Sequence, residues 1–261
     1  MSRKLRIGVH LNPQHGDFDD YRNAVLKVEE MGADVITVWD HFFPLQGDPN
    51  GKHFECWTTM SAIAQMTSRI EIGPLVSAIG YRNPNLIADM ARTIDLISNG
   101  RFILGLGGGW SEKDYDEYGY EFGTPASRLR DLRDALPVIE ARLAKLNPPP
   151  VRKMPIMIGG GGEKITLRIT AEHADIWHCN ADQDGLIHKN QVLDDWCAKL
   201  ERDPATIERS SGIGARSKFD EVDTLVDAGF SLFTYRSSGP DWDLAPLSDW
   251  IAWRDQHNAG R

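Results

Sequence analysis

The feature that most constrains this chain is an alternation repeated about eight times: a short apolar run, a break, then a stretch with helical spacing. Apolar runs predict strands at Arg6–Leu11, Asp34–Trp39, Ile70–Ser77, Phe102–Leu106, Pro155–Ile158, Asp175–Cys179 and Phe230–Tyr235. Ile207–Ala215 is a poorer candidate. Near-continuous Val, Ile and Leu suit strands covered on both faces. Between them the spacing predicts helices. Asp17–Met31 puts Phe18, Tyr21, Val25 and Val28 on one face, with Gly32 as its stop. Trp57–Met66 is the next. Asn83-Pro84 opens a third, with Ile87, Met90, Ala91, Ile94 and Ile97 facing inward and Asn99-Gly100 closing it. Leu129–Leu146 is the clearest helix, its apolar residues stepping by three and four, and the prolines from Pro148 to Pro150 end it. Glu163–His173, Leu193–Leu200, Phe219–Ala228 and Leu247–Ile251 complete the set.

Regular alternation implies parallel strands joined by right-handed crossovers. Eight of them close most economically into a (βα)8 TIM barrel, and 261 residues suit one such α/β domain over 1–261. An open doubly wound sheet is the alternative. The formal net charge of −9 argues against broad nucleic-acid or anionic-membrane binding. No apolar run approaches a membrane span. Met1-Ser2-Arg3-Lys4 runs straight into a strand without a signal-peptide core, and Cys56, Cys179 and Cys197 form neither a CxxC nor an even framework. A reduced, cytoplasmic protein is expected. Strand one reads His10-Leu11-Asn12, without the HxH pair of a common barrel metal site, and no HExxH occurs. No metal is therefore expected.

In such a barrel the site lies at the carboxyl ends of the strands. Those ends carry Asn12, Asp40-His41, Ser77, Gly107–Trp110, Gly159–Gly162, His178-Cys179-Asn180 and Tyr235-Arg236. The set suits a large flat cofactor better than a hydrolytic centre. Gly107, Gly108 and Gly109 let the backbone turn sharply and let a flat group approach, although a tight turn is the plainer reading. Gly159, Gly160, Gly161 and Gly162, between a strand and a helix beginning at Glu163, offer unpaired N–H groups and a positive helix end to a phosphate. The run lacks the Lys-Ser/Thr of a triphosphate loop and does not match GxGxxG. An unperturbed histidine titrates near neutrality, which makes His41, after Asp40 at the end of strand two, a candidate acid, base or hydrogen-bond donor, with a structural loop histidine as the plainer reading. His178 carries the same possibility with less support, whereas His10, His15, His173, His188 and His257 read as bystanders.

Four segments resemble the bacterial-luciferase-like monooxygenase superfamily, in its branch that uses the deazaflavin coenzyme F420: VWDHFFP (Val38–Pro44), YRNPNLIADMARTIDLISNGRFILGLGGGW (Tyr81–Trp110), YGYEFGTPASRLRDLRDAL (Tyr118–Leu136) and MPIMIGGGGEKITLRITAEHADIWH (Met154–His178). The resemblance implies a barrel holding a flavin-like ring in its mouth for hydride transfer. It implies that Gly107–Gly109 line the cofactor, that its phosphate arm lies on Gly159–Glu163, and that Asp40-His41 stand near the ring. It further implies a non-proline cis peptide near Leu75-Val76-Ser77, so that Val76 and Ser77 lie under the ring.

His41 is the expected proton-handling residue. Trp110 and His178 complete the expected cofactor set, with Trp110 also shaping the substrate side. Trp110 stands where sugar-phosphate dehydrogenases of the superfamily place a glutamate, which argues against that reaction. The segment after the Leu129–Leu146 helix is also short, where relatives carry a polar insertion. The expected function is hydride exchange between F420 and a small organic substrate; an FMN monooxygenase and a non-catalytic cofactor-binding barrel are the alternatives. An acidic F420 tail needs cations, for which Arg82, Lys113, Lys164 and Arg236 are candidates. By the same resemblance a homo-oligomer, such as a dimer, is expected.

Overall fold

The computed structural model describes residues 3–260. Strand β1 (Arg6–Asn12) pairs in parallel with β2 (Val35–Val38) on one side and with β9 (Phe230–Ser238) on the other. Beyond β9 follow β8 (Glu208–Ile213), β7 (Ile176–His178), β6 (Ile156–Gly159) and β5 (Leu104–Gly107), all parallel. The two ends of this order are β3 (Glu71–Pro74) and β4 (Ser77–Ala78). They are two pieces of one stave, divided by Leu75-Val76, whose peptide bond is cis. Both pieces meet β5. Ser77 and Ala78 pair with Leu106 and Gly107, and Ile72 exchanges backbone hydrogen bonds with Arg101 (2.9 Å) and Ile103 (2.8 Å). The sheet thus closes into the expected (βα)8 barrel.

Helices α1 (Phe18–Met31), α2 (Cys56–Met66), α3 (Pro84–Ile97), α4 (Glu112–Tyr118), α5 (Pro125–Leu143), α6 (Thr166–His173), α7 (Gln183–Lys199), α8 (Phe219–Asp227) and α9 (Leu247–Ala259) connect the staves or follow the last. Local chemistry sets their ends. Gly32 adopts φ 94° and closes α1, while the Asn83 side chain accepts from the Asn85 amide to open α3 with Pro84 at its first turn.

Several expectations change, among them the helix around Leu193–Leu200, which begins already at Gln183, and the polar segment after Trp110, which holds α4. A capping box between Thr124 and Ser127 starts the long helix at Pro125, and it ends at Leu143. Glu163–Ile165 form a turn, so α6 begins only at Thr166. The weak candidate near Ile207 is a full strand, β8. Ile97 is exposed rather than inward-facing.

Apolar side chains fill the barrel itself: Val35, Ile103, Met157, Ile176 and Leu232 form one cluster, with Leu75 and Val76 packed on it. Burying each such side chain contributes about 1.5–3 kcal/mol. At the amino-terminal end, Arg6 bridges Glu208 (3.2 and 2.7 Å) and Glu71, an ionic plug opposite the open mouth. Among the described residues, no helix is long and apolar enough to cross a membrane.

Candidate functional site

A cavity of about 800 Å³ opens at the carboxyl ends of the staves. Asp40, His41, Val76, Gly107, Gly108, Gly109, Trp110, Gly159, Gly160, Gly161 and His178 line it, so the structure brings most of the expected set together. Ser77, Gly162 and Glu163 stand outside the lining. Ser77 is buried and its hydroxyl donates to Asp40 Oδ2. Glu163 turns away to Lys189 (3.1 Å) and His188 (3.4 Å).

The floor is Val76, which the Leu75-Val76 bulge lifts among the strand ends. A Cβ on Gly107 would stand 2.6 Å from Val76 Cγ2, and one on Gly159 would stand 2.9 Å from both Val76 methyls. A Cβ on Gly105 would strike the Pro74 carbonyl oxygen. These glycines are therefore demanded by the protein's own packing around Val76. Gly109 is a different case: its φ of 77° is a left-handed conformation, and Tyr115 crowds the site of a side chain there.

The Gly159–Gly162 loop matches a phosphate cradle in part. The Gly160 amide donates to the His178 carbonyl oxygen (2.9 Å), whereas the Gly161 and Gly162 amides have no internal acceptor among the described residues. Thr166, the first residue of α6, lines the cavity beside them. Lys189 donates to the Gly161 carbonyl oxygen at 2.9 Å, so a cation sits directly behind the loop. The open Gly161 amide and the Thr166 hydroxyl, both on the cavity, are donors that fit a phosphate, with the Lys189 ammonium behind them engaged by the Gly161 carbonyl oxygen and Glu163.

Arg82 holds Asp40, and Asp114 on α4 holds His41. Arg82 grips the buried Asp40 carboxylate through two nitrogens, at 2.6 and 3.1 Å, and Trp57 Nε1 donates to it at 3.3 Å. Burial pushes the Asp40 carboxyl up, and Arg82 and Ser77 oppose that rise. Arg82 also pairs with Glu55 (2.8 Å), so it is not available to a cofactor tail. His41 places Nδ1 2.6 Å from Asp114 Oδ2. Tyr81 donates to the same oxygen at 3.0 Å, and the Phe42 amide donates to Oδ1 at 3.0 Å. Against the upward push of burial, the His41 and Phe42 hydrogen bonds hold the Asp114 carboxyl below the usual carboxylate range. Trp110 stands edge-on to His41, ring centres 5.3 Å apart, and is 66% exposed at the mouth.

The opposite wall carries two buried imidazoles. His178 Nδ1 lies 2.9 Å from Ser210 Oγ, and burial with the nearby Arg236 lowers its pKa to about 4. His10 lies 2.9 Å from Thr37 Oγ1, and burial first, then Arg236, lowers its pKa to about 3. His10 is therefore part of the cavity, not a bystander. Arg236 lines the mouth without an ion-pair partner among the described residues, Lys113 caps the Phe43 ring at 4.2 Å, and Lys164 lies outside the lining.

Asp114 and Arg128 are the residues that sequence reasoning missed. Arg128 lines the cavity, nearly buried against the Phe122 ring at 3.9 Å, and donates to the Gly109 carbonyl oxygen. Asp114 lies in the polar Ser111–Ala126 segment, where the one available signal is the helical spacing of 114, 115 and 118 ahead of Gly119. Among the described residues, no group of three or more His, Cys, Asp or Glu side chains is placed to hold a metal ion.

Comparison with known proteins finds relatives in sequence and in fold. An F420-dependent glucose-6-phosphate dehydrogenase of Amycolatopsis mediterranei is 30% identical over 208 residues, covering 72% of this chain and 61% of the relative. A phthiodiolone/phenolphthiodiolone dimycocerosates ketoreductase of Mycobacterium bovis is 29% identical, covering 60% of this chain and 45% of the relative. The chain thus spans about three fifths of the length of the first relative and under half of the second. An F420-dependent secondary alcohol dehydrogenase, solved with an F420-acetone adduct, superposes with a TM-score of 0.84 at 17% identity, covering 97% of this chain and 99% of that one. At that identity the match shows the fold alone. The model of the luciferase-like monooxygenase family matches residues 4–215, and with the closed barrel, the bulged third stave and the glycine loop in place, the chain belongs to that family.

Proposed function

We propose that this protein is an oxidoreductase that exchanges hydride between coenzyme F420 and a small organic substrate. The observation that carries the reading is the slot over Val76, floored by the bulge and running to a loop whose donors fit a phosphate. The F420-dependent relatives favour the deazaflavin over FMN. Bound F420 would supply the hydride chemistry. The chain's own part is to seat the ring on Val76, hold the phosphate at Gly161 and Thr166, and present His41 for proton handling. Trp110 would wall the substrate side, and His178 and Asp40 would complete the cofactor's surroundings. Among the described residues all three cysteines are free and buried, which favours a reduced, cytoplasmic setting. A homo-oligomer, such as a dimer, is proposed with it and is read by light scattering.

The test is a fluorescence titration of the protein with F420 and, in parallel, FMN. Micromolar or tighter F420 binding with weak FMN binding supports the reading. A preference for FMN moves it to a two-component monooxygenase, and binding of neither leaves a non-catalytic barrel.

A further inference from the structure

His41 is surrounded by groups from five segments: Asp114 on α4, Tyr81 after β4, His10 on β1, His53 ahead of α2, and Asp40 with its partner Arg82. Trp39 packs against three of these imidazoles, edge-on to His10 and His41 at 6.0 Å and stacked on His53 at 6.2 Å. Asp40 is already engaged by Arg82. Among the described residues, the one group hydrogen-bonded to a His41 ring nitrogen is Asp114, at 2.6 Å.

The geometry points to Asp114 as the positioning residue for His41, fixing the ring with its proton on Nδ1 and its Nε2 lone pair toward the cavity. Donors converge on this carboxylate: His41 and Tyr81 on Oδ2 and the Phe42 amide on Oδ1, with the Ser111 side chain adding a further hydrogen bond. It is 1% exposed, so water does not compete for it. A carboxylate accepts and cannot donate, and the nitrogen facing it must carry the proton. Nε2 is then the ring atom that takes up or returns a substrate proton, and the same carboxylate stabilises the imidazolium that forms. Tyr81 fixes Oδ2 from the other side. The segment bearing Asp114 is itself held in place, because Tyr118 stacks on Phe42 at 4.0 Å and Tyr115 packs on Tyr81 at 4.9 Å.

The catalytic meaning of this arrangement rests on the F420 oxidoreductase reading, but the tautomer does not, and the test separates the two. In Asp114→Asn the Oδ1 acceptor for the Phe42 amide is kept, while the amide nitrogen becomes a donor facing His41 Nδ1 and drives the proton to Nε2. The first readout is the ¹⁵N spectrum of the His41 ring in the cofactor-free protein, assigned by loss of its signals in His41→Gln. The wild type should show Nδ1–H and Asp114→Asn should show Nε2–H. The second readout is F420-linked turnover over a panel of alcohols and ketones, expected to fall about 100-fold or more in Asp114→Asn with F420 affinity within about threefold, and to recover substantially in Asp114→Glu. Tyr81→Phe, which removes one donor and no charge, should lower turnover by about three- to tenfold and keep the Nδ1–H tautomer; it carries the turnover test if Asp114→Asn fails to fold. An Nε2–H tautomer in the wild type, or Asp114→Asn turnover within threefold of wild type, overturns the assignment. Absence of any F420 turnover in the wild type refutes the functional reading instead, and the tautomer then decides the positioning.

Discussion

Arg82→Met isolates the most consequential buried charge in the site. Arg82 and Asp40 meet at 2.6 Å with side chains 11% and 0% exposed, so neither is relieved by solvent. Removing one partner of such a pair costs about 3–5 kcal/mol, because the remaining charge stays buried. Ser77 and Trp57 still donate to the carboxylate, which places the expected loss near the lower end, about 3 kcal/mol. Asp40→Asn in the Arg82→Met background removes the stranded charge, so the double variant should be more stable than Arg82→Met alone.

The pH dependence has a definite sign. Burial already raises the Asp40 carboxyl, and without Arg82 it rises further above its unfolded value. A group with a raised folded pKa contributes stability that is present below the unfolded pKa and lost as pH rises through the folded one. The deficit of Arg82→Met against wild type should therefore be largest at about pH 7 and shrink at about pH 5. Urea unfolding followed by tryptophan fluorescence, with eight indoles as reporters, measures it at both pH values. A deficit below about 1 kcal/mol, or one equal at both pH values, refutes the reasoning.

Gly107→Ala puts a methyl 2.6 Å from Val76 Cγ2 and should lower stability by about 1–3 kcal/mol and weaken F420 binding, with Val76→Ala in the same chain restoring both; paired melts and titrations check it. The phosphate loop is better tested at Lys189 than at Gly161, where any Cβ would meet Cys179 Sγ at 2.7 Å. Lys189→Met should raise the F420 dissociation constant about tenfold with the melting temperature little changed, and an unaltered constant removes the phosphate assignment. His10 and His178 stay neutral in the fold because their folded pKa values, about 3 and about 4, lie below the ordinary 6.5. Stability should fall as pH drops from the unfolded value toward the folded ones, and His178→Gln should lose less over that window than wild type by urea unfolding.

The barrel was legible because its signals are local and repeated. Gly32, Asn83-Pro84 and the leucine steps after Leu129 each announce a helix end or face through chemistry that acts within a few residues. What was not legible depends on contacts across the barrel. Asp114 touches His41 from 73 residues away, and among five acidic residues in its segment the helical spacing of 114, 115 and 118 is a faint local pointer to the buried one. His10 read as a bystander because one strand cannot reveal that its inward face ends at the cavity floor.

The third stave shows how far the glycines could be read. Gly73-Pro74 signals a disturbed strand, but Ile70–Ser77 alone does not say where Val76 points. Once Val76 stands in the mouth, Gly107 and Gly159 on the next two staves have no room for a Cβ, and Gly105 is closed by the Pro74 carbonyl. Gly107 and Gly159 were expected to make room for a cofactor. Packing is the sufficient reason at these three positions, since the clash is with the protein itself. At Gly161 and Gly162 packing also excludes a side chain, through Cys179 and Thr166, yet it leaves two amides without an acceptor among the described residues, beside a lysine. Backbone donors left open in a loop that packing already holds are the part of the glycine pattern that protein contacts alone do not explain, and it is there that the case for a bound phosphate is strongest.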